Sequence, residues 1–153
     1  MRIRRDDRYE IDTDRERLNV PRVHEWLTND AYWALGRHPS VTEKAIAGSL
    51  CFGVYHPMTY QVGFARAVTD GATFAWLCDV YIARASRGLG LGTWLARTAH
   101  DHLTELGLPR IVLATADAHE IYAKAGFAPL LRPSRWMEVD RRRSSDPGDV
   151  EHK

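Results

Sequence analysis

From Leu91 onward the packing residues Leu91, Trp94, Leu95, Thr98, Ala99, His102, Leu103 and Leu106 recur at i, i+3, i+4, i+7, which is the spacing of one helical face. Gly107 and Pro109 stop that helix. A shorter face, Val20, Val23, Trp26 and Leu27, follows Asn19 and Pro21, residues suited to a helix start. Ser40, three residues before Glu43, has capping-box spacing and predicts a second short helix. "DAHEIYAKAGF" predicts a last one, with Asp117 as N-cap and Gly126 as the glycine that ends it.

Between these stretches the residue types change to β-branched and aromatic. "RYEIDTD" (8–14) predicts a first strand. "LCFGVYH", "TYQVGFARAVTD" and "GATFAWLCDVYIA", separated by the turn sequences "HPM" and "TDG", predict an antiparallel meander. "RIVLAT" (110–115) is apolar at its centre, as a strand covered on both faces should be. "FAPLL" and "RWMEVD" predict two final strands around Arg132, Pro133 and Ser134. The order of elements is that of an α/β (α+β) domain, with antiparallel pairing and one crossover helix between parallel strands.

Composition narrows the partners. At 153 residues the chain holds one domain, expected over 1–140, followed by the polar stretch "RRRSSDPGDVEHK" at 141–153, expected to be disordered. A net charge of +1 gives no electrostatic reason for a nucleic-acid partner, and the basic ends "MRIRR" and "RRR" read as solvated tails. Cys51 and Cys78 lie in apolar runs without C-x-x-C spacing, which predicts buried free thiols in a reducing compartment. The start has no apolar leader core and no run reaches membrane-span length, so a cytoplasmic location away from membranes is expected.

The candidate chemistry lies in "SRGLGLGTWL" (86–95), where three glycines precede the long helix. A strand end followed by Arg87, Gly88, Leu89, Gly90, Leu91 and Gly92 leaves backbone N–H groups facing one place beside the positive helix end, which makes an anion site. Without G-K-[ST] it is no Walker A loop, and Thr93 breaks G-x-G-x-x-G, so nucleotide triphosphatases and dehydrogenases are disfavoured. His100 and His102 point to different helix faces, so no metal is expected, and "AGSLC" is no nucleophile elbow.

R-x-x-G-x-G, supplied by Arg87, Gly90 and Gly92 after "WLCDVYIARAS", resembles motif A of the GCN5-related N-acetyltransferase (GNAT) family. "TADAHEIYAKAGF" resembles the family's later N-x-x-A-x-x-x-Y-x-K-x-G-F pattern through Ala118, Tyr122, Lys124, Gly126 and Phe127, with Thr115 where the family often has Asn. The likeness spans Tyr9 to Val139. It implies a mixed sheet of six to seven strands with about four helices, its central strands splayed to admit acetyl-CoA.

The resemblance further implies that the backbone of Val80, Tyr81 and Ile82 pairs with the pantetheine arm. The loop from Arg87 through Thr93 would hold the pyrophosphate, with Thr115 and Tyr122 also beside the cofactor. Tyr122 would protonate the leaving thiolate, while the strand N–H groups polarise the thioester carbonyl. An amine acceptor must also lose a proton. Asp79, a carboxylate interrupting "WLCDVYI", is the leading candidate base, with a structural carboxylate as the competing reading. The acceptor, most simply a primary amine, would lie among the first two helices, the loop holding Tyr32 and Trp33, the turn at His56, and the last strands. A non-catalytic acyl-CoA sensor is the alternative function, and any homodimer would use the last strands.

Overall fold

The computed structural model describes residues 1–142, so the polar tail expected at 141–153 lies outside them beyond Arg142. Arg2–Arg4 (β1) pairs antiparallel with Glu10–Asp12 (β2), although the sequence reading left "MRIRR" as a solvated tail. The reason is electrostatic rather than apolar. Glu10, buried on β2, receives Arg2 at 2.9 Å, Arg4 at 2.8 Å and Arg17 at 3.3 Å, so an exposed strand is held by its charges.

Leu50–Tyr55 (β3), Gln61–Thr69 (β4) and Ala75–Ile82 (β5) form the expected meander. Ile111–Val112 (β6) adds in parallel to β5, giving a six-stranded sheet in the order β1 to β6. Among the described residues "FAPLL" and "RWMEVD" form no strand. Pro129 and Pro133 interrupt them, Pro133–Arg135 makes a single 3-10 turn, and Leu131, Met137 and Val139 stay exposed.

Val20–Asp30 (α1) starts at Asn19, whose Oδ1 accepts from Arg22 N at 3.1 Å. Pro39–Ala47 (α2) starts two residues earlier than the capping-box reading, in which Ser40 is the N-cap. His38 Nδ1 caps it, accepting from Ser40 N at 3.2 Å, because Pro39 presets the first helical φ and has no N–H to satisfy. Leu91–Glu105 (α3) runs as expected and ends before Gly107, at φ +88°. His119–Lys124 (α4) has Ala118, not Asp117, at its N-cap, with no side-chain cap; Thr115 Oγ1 accepts from Ala118 N at 3.0 Å.

The two sheet faces carry separate cores. Phe52, Val54 and Leu77 meet Leu95, Ala99 and Leu103 under α3, while Phe64, Cys51 and Tyr81 meet Val23, Leu27 and Ile46 under α1 and α2. No helix among the described residues is long and apolar enough to cross a membrane.

The β1 edge is open to a direct test. Hydrogen bonds from Arg4 hold the Glu10 carboxyl at about 2 against an ordinary 4.5, with Arg2 adding to them and burial opposing. A depressed carboxylate contributes stability that is complete above its ordinary value and lost as pH falls towards the folded one. Glu10→Gln should therefore lower Tm at pH 7 by about 3–6 °C, allowing for the solvent exposure of its partners. The gap from wild type should close in thermal melts as pH falls from 4.5 towards 2.

Candidate functional site

β5 and β6 part early. Only Ala75↔Ile111 and Trp76↔Val112 pair, while β5 continues six residues further, to Ile82. A slot therefore opens in the sheet between the second half of β5 and residues 113–116, beyond the last paired residues. Cys78 lies on the part of β5 beyond its last pair with β6, and Tyr122 packs on α4 against the α3-side core.

After β5 the chain makes a 3-10 turn at Arg84–Ser86 and reaches α3 through two left-handed glycines, Gly88 at φ +83° and Gly90 at φ +73°. Other residues would be strained there. A Cβ built on Gly88 would meet no atom within 4 Å, so this side of the loop is open. Among the described residues no backbone carbonyl accepts from the N–H groups of Gly88 through Thr93. These donors, at the positive end of a fifteen-residue helix, fit a bound phosphate group.

The side chains of this stretch divide clearly. Leu91 is buried in the core and Leu89 points to solvent. Val80 and Ile82 pack under α3, whereas Tyr81 packs under α1. Arg87 folds back: Nε donates to Ile82 O at 2.9 Å, Nη2 donates to Asp30 at 3.1 Å, and the guanidinium lies over the Tyr81 ring. Asp30 also accepts from the Tyr81 hydroxyl at 2.5 Å and from Arg84. Arg84 first, then Tyr81, hold its carboxyl well below the usual range. The end of α1 is thereby tied to the end of β5.

Tyr122 lies half-buried on α4, edge-on to Phe127, and burial pushes its hydroxyl up to about 12. It remains a neutral phenol, able to donate a proton, throughout the physiological range. The Thr115 hydroxyl accepts from Ala118 N just before α4. Burial raises both thiols, Cys51 and Cys78, to about 11, which leaves them poor nucleophiles at neutral pH.

Asp79 stands at a β-bulge, where Asp79 and Val80 together oppose Ala65 between the pairs Phe64↔Tyr81 and Arg66↔Cys78. Its φ is +51°, a conformation costing an L-residue about 1–2 kcal/mol. Its side chain is 2% exposed and accepts four hydrogen bonds. Trp33 Nε1 donates to Oδ1 at 2.9 Å, Arg37 Nη2 to Oδ1 at 3.2 Å, Arg37 Nη1 to Oδ2 at 2.8 Å, and Arg66 Nε to Oδ2 at 2.6 Å. Burial works against ionisation, but the Arg37 and Arg66 guanidiniums outweigh it and keep the carboxyl below its ordinary value. A carboxylate with its lone pairs filled this way is suited to anchoring and is a poor proton acceptor, which favours the structural reading of Asp79 over the base.

Sequence reading missed Arg37, Arg66 and Asp30. The available signal was Asp79 itself, since a carboxylate in an apolar strand needs cations on neighbouring elements. On the same face a cleft of about 520 Å³ opens between α1, the His56–Tyr60 turn and the end of β5, with Glu25, Trp26, Tyr60 and Tyr81 among its walls. His56 is occupied in that turn, its Nδ1 accepting from Met58 N and its ring stacked on Tyr60.

A sheet split beside a glycine-rich helix start, with a tyrosine on the following helix, defines a GNAT-type domain. Residues 20–127 match the Acetyltransferase (GNAT) family, and the chain belongs to it. It is 31% identical over 137 residues to a Gibberella zeae protein whose name gives acetyltransferase as an unproven activity, covering 76% of each. A crystal structure from Xanthomonas campestris pv. campestris, assigned to the same family, superposes with a TM-score of 0.80 at 39% identity, over 86% of this chain and 92% of that one. A Mycobacterium tuberculosis protein solved in complex with CoA shares the fold, with a TM-score of 0.63 at 20% identity, over 77% of this chain and 70% of that one.

Removing the anchor strands two cations. Asp79→Ala should lower unfolding free energy by about 3–5 kcal/mol, because a broken buried ion pair leaves uncompensated charge. Urea denaturation would read this as a lower midpoint, and a loss below about 1 kcal/mol would contradict a structural role.

Proposed function

We propose that the protein transfers the acetyl group of acetyl-CoA directly to an acceptor, a primary amine on a small molecule, peptide or protein. The observation that carries this reading is the slot between β5 and β6, which opens onto the unsatisfied N–H groups of Gly88 through Thr93. A relative of the same fold was solved with CoA, which supports the same choice of cofactor.

Acetyl-CoA, when bound, supplies an activated thioester. The loop backbone binds the pyrophosphate, and the backbone of Val80 to Ile82 aligns the pantetheine arm while an N–H there stabilises charge growing on the carbonyl oxygen. Tyr122, kept neutral by burial, gives its proton to the departing sulfur. The amine nitrogen forms the new bond to the acetyl carbon, the carbon–sulfur bond breaks, and the amine proton passes to water in the open cleft. Asp79 takes no part in that proton transfer, because its oxygens are already engaged.

Thermal-shift titration with acetyl-CoA, beside thiol release across a panel of amines, amino acids and peptide N-termini, tests the reading. Wild type should be stabilised and turn over at least one amine. Tyr122→Phe should bind acetyl-CoA within two-fold of wild type and lose about 100-fold in turnover. Gly90→Val should weaken acetyl-CoA binding by forcing a β-branched residue into φ +73°. Failure to bind acetyl-CoA overturns the proposal, and binding without turnover of any amine replaces it with an acyl-CoA sensor.

A further inference from the structure

The connection 31–38 between α1 and α2 straddles the slot. On the β5 side Trp33 and Arg37 reach the Asp79 carboxylate through three hydrogen bonds at 2.9, 2.8 and 3.2 Å. Across the slot, the Tyr32 hydroxyl accepts from Ala116 N at 3.0 Å, just beyond β6. Arg66 extends the β5 anchor to α2, since its Nη1 donates to Ser49 Oγ at 3.2 Å, and Ser49 Oγ donates in turn to Ala45 O at 2.6 Å. A buried carboxylate therefore fixes the bridge and α2 against the bulge of β5, and the next residues along that strand are Val80 to Ile82.

We infer that Asp79 is a positioning residue for acetyl transfer. It registers the 31–38 bridge, as the wall along which the acceptor approaches, against the β5 backbone that handles the thioester. This rests on the function proposed above. Asp79 acts through Trp33 and Arg37, and its strained φ is retained because the carboxylate must leave the strand at that point to meet both. A bridge set by one residue fixes the distance between nucleophile and acetyl carbon, a quantity to which rate is steeply sensitive.

Two variants separate positioning from folding. Trp33→Phe deletes one donor and keeps both guanidiniums on Asp79, while Asp79→Asn keeps shape and tolerance of positive φ but removes the charge. With acetyl-CoA and the best amine of the panel, Trp33→Phe should raise the amine KM about five-fold, and Asp79→Asn should lower kcat about ten-fold or more. Each should keep its acetyl-CoA Kd within two-fold of wild type. A second reading needs no amine. The Trp33 emission, taken as wild type minus Trp33→Phe, should shift on acetyl-CoA binding, and in the Asp79→Asn background the corresponding shift should vanish. Trp33→Phe and Asp79→Asn kinetics that match wild type, or that fall only in parallel with acetyl-CoA affinity and Tm, overturn the positioning role and leave the proposed function standing. A wild type that binds no acetyl-CoA overturns both.

Discussion

The parting of β5 from β6 after two residue pairs is the constraint on which the rest of this structure depends. A sheet that stops pairing part way along its last strand pair leaves backbone donors and acceptors of β5 unpaired, and such groups are costly unless a partner or water reaches them. The fold keeps the gap from closing by filling each face separately. The α3 core grips Leu77 and Ile82, the α1 core grips Phe64 and Tyr81, and β5 is thus held from both sides while its outer edge stays available. The left-handed glycines are the continuation of that edge, because they carry the chain from the parted strand into α3 without covering the donors.

Charge does the work that apolar packing does elsewhere. Glu10, Asp30 and Asp79 are each a carboxylate with little solvent access, and each gathers cations from different segments. Glu10 recruits the first strand, Asp30 ties the end of α1 to the loop after β5, and Asp79 ties the α1–α2 connection to the bulge. At Asp30 and Asp79 the ion pairs lie beside an apolar contact, since Tyr81, Ala31 and Ala34 belong to the core under α1 and α2. Such ion pairs add less net stability than their number implies, since desolvation opposes the attraction, but they specify where a segment must sit.

The sequence made the fold legible wherever one side of an element is apolar. The α3 stripe and the three-strand meander follow directly from periodicity, and the slot followed from the likeness of "RGLGLG" and "YAKAGF" to known motifs. What escaped was held by polar contacts between distant residues. β1 has no apolar alternation because its partner is the Glu10 carboxylate, and the α2 cap moved to His38 because Pro39 presets the first turn. The last two strands were read from apolar letters that the structure leaves exposed. At the site, Tyr122 and the glycines were visible as residue types in a pattern. The four bonds on Asp79 were not, since Trp33 and Arg37 lie more than forty positions away in the chain.

The arginines of β1 also decide how this sheet meets other sheets. Arg2 and Arg4 remain more than half exposed even while paired with Glu10. A strand approaching that edge from another molecule would have to strip water from both guanidiniums and align beside a second positive row, which is how an edge is kept from templating aggregation. The opposite edge is only two residues long, at Ile111–Val112, and Arg110 beside it lies over the Trp136 ring. Another strand therefore gains nothing at the β1 edge without desolvating two guanidiniums, and that side of the sheet is kept facing water.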